Sequence, residues 1–165
     1  MYKGKKISIV LPEFNEEKNI GRAISDFWKL KIVDEIIVID NNSKDRTSES
    51  ALRNKAKVIK EHKQGYGFAL QRGLREAKGD YVVLCEPDGT FVAADLLKLL
   101  SKMGDYDIVS GIRTNKKFIS RNANMGEFLR LGNIFVAKIT QFLYSPTTNL
   151  SDCGCTFKVI KKISC

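Results

Sequence analysis

The chain has 165 residues, of which 43% are hydrophobic and 28% are charged, and its formal net charge is +9. These values fit one soluble domain with a substantial core and exclude two full domains. The positive charge favours anionic partners such as phosphorylated ligands, nucleic acid or an anionic membrane surface. The lysines are spread along the chain rather than grouped on one helix among aromatic residues, which argues against nucleic acid.

No segment reaches the roughly 18 to 20 consecutive apolar residues of a membrane span, so we expect any membrane contact to be peripheral. The four cysteines lack the spacing of a structural zinc site and no signal peptide precedes the first strand, which predicts reduced thiols and a cytoplasmic protein. We expect Cys85 to be a core residue and Cys153 and Cys155 to pack rather than bind metal. Because the chain stops abruptly at Cys165, we expect a truncated carboxyl terminus.

Short β-branched runs alternate with segments of helical period along the chain. We predict strands at Ile7–Leu11, Ile36–Ile39, Val58–Ile59, Tyr81–Cys85, Asp107–Ser110 and Cys155–Ile160. Helical period predicts helices at Glu16–Leu30, Ala69–Ala77 and Gly126–Tyr144. This alternation predicts an α/β fold with a mostly parallel central sheet flanked by helices, in a single domain over residues 1–165. The basic, aperiodic segment Arg113–Asn124 predicts a mobile loop.

Acidic and polar residues follow three of the predicted strands, in the segments Pro12–Glu17, Asp40–Asp45 and Glu86–Asp88. Ligands of an open parallel sheet collect at the carboxyl ends of its strands. Three acidic strand ends facing one crevice would repel one another unless a cation or a hydrogen-bonding ligand lies among them. Glu86 and Asp88 can hold a hard divalent ion whose coordination shell is completed by phosphate oxygens.

Structural roles are also available for these residues. Asn15 could cap the first helix, and Asn42, Ser43 or Asp45 the second. No G-x-G-x-x-G follows the first strand, which argues against a dinucleotide-dependent dehydrogenase. A nucleotidyltransferase would carry a glycine-rich loop with a basic residue at that point, where this chain has Pro12 and acidic residues.

The most specific pattern consists of three segments, Ile9–Ile20, Ile37–Thr47 and Gly65–Asp80. Their order and spacing resemble those of family 2 glycosyltransferases, in particular the polyprenyl-phosphate sugar synthases such as dolichyl-phosphate mannose or glucose synthase. The similarity runs from about Lys6 to Lys161. The resemblance implies a GT-A fold, a nucleoside diphosphate sugar donor, Mg2+ or Mn2+, and a polyprenyl-phosphate acceptor at the membrane surface. It allows a UDP- or a GDP-sugar, and we favour uridine.

The resemblance also implies roles for individual residues. The residues implied to bind the nucleotide are Pro12, Phe14, Glu16 and Asp40. Asp40 would be a hydrogen-bond partner of the base or ribose. Glu86 and Asp88 would hold the metal and diphosphate, with Glu86 replacing the first aspartate of the family's D-x-D. This longer side chain changes the geometry offered to the metal.

The basic residues matched by the resemblance are Arg113 and Arg130, which would lie near phosphate, with Arg121 as a weaker candidate. Asp152 opens a segment that resembles the family's D-x-x-G-F-R, with Lys158 in place of the arginine. Arg130 and Lys158 would bind an acceptor phosphate, which needs no strong base. Asp152 would be the general base if the acceptor were a sugar hydroxyl, and alternatively it caps a turn.

The sequence therefore predicts a metal-dependent inverting glycosyltransferase that moves a hexose to a polyprenyl phosphate, peripheral to the cytoplasmic membrane face. The predicted catalytic residues are Asp88, Arg113, Arg130 and Asp152. The alternatives are a transferase acting on a sugar hydroxyl and a noncatalytic nucleotide- or polyanion-binding module with the same fold.

Overall fold

The computed structural model describes residues 1–88, 91–111, 127–144, 152 and 154–162. The chain divides into two units, one containing Met1–Val109 and the chain from Phe157 onward, the other containing Ser110–Thr156. The single domain expected for residues 1–165 stays a prediction.

The first unit alternates strands and helices as predicted. Its strands are β1 (Ile7–Glu13), β2 (Glu35–Asp40), β3 (Lys57–Lys60), β4 (Tyr81–Leu84), β5 (Ile108–Ser110, whose last residue belongs to the second unit) and β6 (Lys158–Lys161). Its helices are α1 (Glu17–Lys29), α2 (Thr47–Arg53), α3 (Tyr66–Glu76) and α4 (Leu96–Leu100), the last preceded by a 3-10 turn at Ala93–Asp95. The predicted strands coincide with these to within one or two residues, except that β6 begins three residues later than expected.

The six strands form one sheet in the order β3-β2-β1-β4-β6-β5. Strand β1 pairs in parallel with β2 and with β4, and β2 pairs in parallel with β3. Strand β6 runs antiparallel to β4 and places Lys158 opposite Leu84. The predicted mostly parallel sheet is confirmed, and its antiparallel strand brings a lysine to the carboxyl end of β4.

Burial on both faces explains the apolar runs of the central strands. All seven residues of β1 are buried, and so are five of the six in β2. On one face, Val10 and Ile39 pack against Ala69 of α3. Helix α3 approaches this face so closely that a Cβ atom on Gly73 would lie 2.2 Å from Val10 Cγ1.

The second unit contains helix α5 (Glu127–Tyr144), in agreement with the predicted helix from Gly126 to Tyr144. Ala137 is buried, whereas large apolar side chains of this helix are exposed, namely Leu131, Phe135, Val136, Ile139, Phe142 and Leu143. Within the described part of the chain, no helix is both long enough and apolar enough to cross a membrane. The predicted loop Arg113–Asn124 lies outside the described residues.

The close approach of α3 to β1 can be tested with two glycines of the same helix. Gly73→Ala should destabilise the protein by about 1–3 kcal/mol, because the added methyl group overlaps Val10. Gly67→Ala should be neutral or stabilising by up to about 1 kcal/mol, because a Cβ atom there meets nothing within 4 Å. Urea unfolding of both variants measures the difference, and equal effects would contradict the packing described.

Candidate active site

Acidic side chains converge at the carboxyl ends of three neighbouring strands. Glu13 ends β1 and stands in register with Asp40, which ends β2. Glu86 follows β4, on the other side of β1. Adjacent strands lie about 4.8 Å apart, so the three strand ends span roughly 10 Å. The crevice expected from the sequence is therefore an acidic edge of the sheet.

Asp40 is buried, with 3% of its surface exposed, and protein donors fix its carboxylate. Its Oδ1 accepts the Ser43 N–H at 2.7 Å, and its Oδ2 accepts the Ser48 hydroxyl at 2.5 Å. Each oxygen keeps a further lone pair for a ligand donor. The loop and helix that follow β2 thus hold a rigid acceptor at the site.

Hydrogen bonds connect the loops that follow β1 and β2. Asn15, in the left-handed region with φ 58°, accepts the Lys44 N–H at 2.8 Å and donates its own N–H to Ser43 Oγ at 3.1 Å. Thr47 Oγ1 and Asp45 Oδ2 accept the N–H groups of Glu16 and Glu17 at the start of α1. Asn15 therefore does not cap α1, whose first N–H groups are satisfied from the second loop.

Asp45 also accepts the Thr47 N–H at 3.0 Å, but the N-cap position of α2 is Arg46, which makes no side-chain cap, so Asp45 does not occupy the suggested capping position. Ser43 instead bonds Asn15, as described above.

A buried asparagine holds the loop before α3. The Asn41 side chain donates to the carbonyls of Glu61 at 2.9 Å and Lys63 at 2.8 Å, and it accepts the Gly65 N–H at 2.8 Å. Gly65 has φ 136°, a conformation that a residue with a Cβ atom rarely adopts. These contacts fix where α3 begins, at Tyr66. This role of Asn41 could not be predicted from the sequence, where only the polar character of the segment is visible.

Tyr66 reaches Glu86 from the start of α3. Burial, the negative charge of Glu86 and a hydrogen bond to that carboxylate raise the pKa of the Tyr66 hydroxyl. The Tyr66 hydroxyl therefore stays protonated beside the Glu86 carboxylate.

Glu13 also lies at this edge, although no role for it was predicted from the sequence. Burial, followed by the negative charges of Glu16, Glu86, Asp88 and Asp40, raises the pKa of Glu13 to about 10. The side chain is 3% exposed, and its Oε1 has no hydrogen-bond partner among the described residues. A buried unpaired polar atom costs about 1–3 kcal/mol. A glutamate ending an otherwise apolar buried strand was the available signal.

The other residues predicted to bind nucleotide lie around the same edge. Pro12 is buried, and Phe14 is 49% exposed. Glu16 Oε2 accepts the side-chain amide of Asn19 at 2.9 Å. Asp88 is exposed, in the turn after Glu86.

The predicted phosphate-binding and acceptor residues are described only in part. Arg113 and Arg121 lie outside the described residues, and Arg130 belongs to α5. Asp152 is buried in the second unit, and its Oδ1 accepts the Gly154 N–H at 2.9 Å, as in an aspartate-capped turn. Lys158 lies on β6 beside the end of β4.

The described residues contain no group of three or more histidine, cysteine, aspartate or glutamate side chains placed to hold a metal ion. Glu86 and Asp88 supply two carboxylates, so a divalent cation held by them would take its remaining ligands from phosphate oxygens and water, as Mg2+ commonly does. Cys85 and Cys155 are buried, in agreement with packing roles, and Cys153 lies outside the described residues.

The raised pKa of Glu13 predicts how stability changes with pH. In the folded protein Glu13 keeps its proton up to about pH 10, whereas in the unfolded chain its pKa is the ordinary 4.5. Above about pH 4.5 the unfolded chain releases this proton and the folded protein does not, so the free energy of unfolding falls as pH rises. Glu13→Gln removes that loss. We expect its stability relative to wild type to increase from pH 5 to pH 8, by at most about 1.4 kcal/mol per pH unit. Urea unfolding at several pH values measures this, with Glu49→Gln on α2 as control, and a pH-independent difference would contradict the buried, protonated state.

Comparisons with known proteins agree with this geometry. Residues 8–163 match the sequence profile described as glycosyl transferase family 2. A dolichyl-phosphate hexose transferase of Haloferax volcanii is 32% identical over 149 residues, which are 90% of this chain and 64% of that protein. A low-salt glycan biosynthesis hexosyltransferase of the same organism is 36% identical over 115 residues, 65% of this chain and 27% of that protein. The chain thus spans less than two thirds of either relative.

Solved structures show the same fold. Glucosyl-3-phosphoglycerate synthase from Mycobacterium tuberculosis, in complex with Mn2+, UDP-glucose and phosphoglyceric acid, matches with a TM-score of 0.75 at 24% identity, over 96% of this chain and 57% of that one. The GT-A fold implied by the sequence resemblance is confirmed. The family profile covers nearly the whole chain, and the chain belongs to glycosyl transferase family 2.

Proposed function

We propose that the chain is a metal-dependent inverting hexosyltransferase that uses a UDP-sugar donor and a polyprenyl-phosphate acceptor. The observation that carries this proposal is the acidic edge of the sheet, where Asp40 and the Glu86–Asp88 pair lie on opposite sides of β1. A nucleoside diphosphate sugar has a base at one end and a diphosphate at the other. The two acidic groups match those two ends.

At the base end, Asp40 is a rigid acceptor for a donor group of the base or ribose. Phe14, which directly follows Glu13 at the end of β1 and is 49% exposed, offers a ring against which a base can stack. Pro12 and Glu16 complete this side of the proposed nucleotide site. A solved structure with the same fold contains UDP-glucose, which supports uridine.

At the diphosphate end, Glu86 and Asp88 would hold Mg2+ or Mn2+, with the Tyr66 hydroxyl beside Glu86. The cation would neutralise charge that develops on the leaving diphosphate. Arg113 is proposed to add positive charge at the same phosphates. Mn2+ in the solved complex with UDP-glucose supports a divalent ion.

The proposed acceptor is a polyprenyl phosphate, a class named in the dolichyl-phosphate hexose transferase of Haloferax volcanii. A phosphate with a second pKa of about 6 is already nucleophilic near neutral pH, so the chain need not supply a strong base. Lys158, beside the end of β4, and Arg130, on α5, are proposed to bind this phosphate.

The exposed apolar face of helix α5 supports the proposal that the chain contacts the cytoplasmic side of a membrane. Leu131, Phe135, Ile139 and Phe142 recur at intervals of four, four and three residues, which places them on one face of the helix. Phe135 is 67% exposed and Phe142 81% exposed. Large exposed apolar faces of this kind mark protein or membrane contacts.

The donor site predicts metal-dependent nucleotide binding. Wild type should bind UDP in calorimetry with Mn2+ or Mg2+ present and at least about tenfold more weakly with a chelator, because the cation links the carboxylates to the phosphates. Asp88→Ala should abolish the metal dependence. Asp26→Ala, in the last turn of α1, is the matched control and should behave as wild type. Equal UDP affinity with metal and with chelator would rule out the metal role.

The acceptor site predicts binding to anionic vesicles that weakens with salt, since each basic residue near the surface contributes about 1 kcal/mol. Sedimentation with vesicles should show weaker binding for Phe142→Ser than for Leu52→Ser, which removes an equally apolar, exposed side chain from α2.

Transfer assays distinguish the two acceptor classes. Arg130→Ala should reduce transfer to a short polyprenyl phosphate more than Asp152→Asn does, because the phosphate needs a cation and no base. Transfer to a free sugar hydroxyl that is lost in Asp152→Asn but kept in Arg130→Ala would favour the hydroxyl acceptor. Metal-dependent UDP binding without transfer or hydrolysis of any UDP-sugar would favour the noncatalytic module.

A further inference from the structure

Glu13 occupies the middle of the acidic edge. Its strand β1 lies between β2, which ends in Asp40, and β4, which is followed by Glu86. The negative charges that act on Glu13 come from both sides, from Asp40 and Glu16 on one and from Glu86 and Asp88 on the other. Whatever group of a ligand lies between those two sides lies over Glu13.

The neighbouring carboxylates of this edge have partners that Glu13 lacks. Asp40 accepts two hydrogen bonds, and Glu86 lies beside the protonated Tyr66 hydroxyl. Oε1 of Glu13 has no partner within the described part of the chain, although the side chain is 97% buried, as its 3% exposure implies. Buried polar atoms of native proteins are nearly always paired, so an unpaired one at a binding edge points to a ligand.

We propose that the Glu13 carboxyl hydrogen-bonds a ribose hydroxyl of the bound nucleotide and so selects ribonucleotides over deoxyribonucleotides. This inference rests on the proposed function. The nucleotide runs in the order base, ribose and diphosphate, and the base and the diphosphate are assigned to Asp40 and to the Glu86–Asp88 pair. The ribose therefore falls over β1, where Glu13 ends the strand.

The chemistry of the two groups is complementary. A ribose hydroxyl can donate and accept, and a carboxyl group accepts in either protonation state and also donates when protonated. The Glu13 backbone is held, because its carbonyl accepts the Asn41 N–H at 2.9 Å. Because Oε1 of Glu13 is closed to solvent, the side chain must rotate about its torsions to meet the ligand. A hydrogen bond to a ribose hydroxyl would then remove the cost of a buried unpaired oxygen.

The test compares UDP with 2′-deoxy-UDP and 3′-deoxy-UDP, in the presence of Mn2+, by calorimetry. Wild type should bind UDP about 3- to 10-fold more tightly than at least one deoxy analogue, as expected for one hydrogen bond. Glu13→Gln, which keeps a hydrogen-bonding side chain of the same length, should retain that preference. Glu13→Met, of similar size without hydrogen bonding, should reduce it to within about 2-fold, mainly by weakening UDP.

The outcomes separate this inference from the function beneath it. Binding of UDP without any preference over both deoxy analogues, or an unchanged preference in Glu13→Met, would overturn the role of Glu13 alone. Failure of wild type to bind UDP would overturn the proposed function and this inference with it. Circular dichroism checks each variant for folding, and Glu13→Ser, too short to reach the ribose, replaces Glu13→Met should the latter not fold.

Discussion

The parallel register between β1 and β2 is the constraint on which the site depends. Both strands are buried on both faces, so a slip by one residue would turn every side chain to the opposite face and undo its close packing there. That register ends with Glu13 opposite Asp40. Two carboxyl groups are thus forced together at the edge of the sheet by the packing of the strands behind them, and the environment resolves the conflict by keeping Glu13 protonated.

The loops after these strands convert the register into a rigid site. Asn15 and Lys44 join the two loops, and Asp45 serves both α1 and α2. Asn41 then ties the end of β2 to the start of α3, from which Tyr66 reaches Glu86. Polar residues that could be taken for isolated helix caps therefore form one connected hydrogen-bonded support. Such a support keeps the acidic groups in place at little reorganisation cost when a ligand arrives.

Strands and helices could be predicted because burial leaves a direct trace in the spacing of apolar residues, as in β1 and α1. The family could be predicted because its motifs keep their order and spacing. Glu13 could not be assigned, because its role follows from burial and from charges brought in by other strands. The helix-capping hypothesis for Asn15 failed for a similar reason: its partner Lys44 is remote in sequence, and a local pattern cannot identify it.

The position of strand β6 next to β5 lets the fold accept segments of different length between these two strands. The chain leaves the first unit at the end of β5 and returns in β6, and these two strands are neighbours in the sheet. The intervening Ser110–Thr156 unit is therefore an excursion between adjacent points. Because the entropy of closing such an excursion grows only with the logarithm of its length, a doubling costs about 0.6 kcal/mol. A longer insertion between β5 and β6 would accordingly cost the sheet of the first unit little stability.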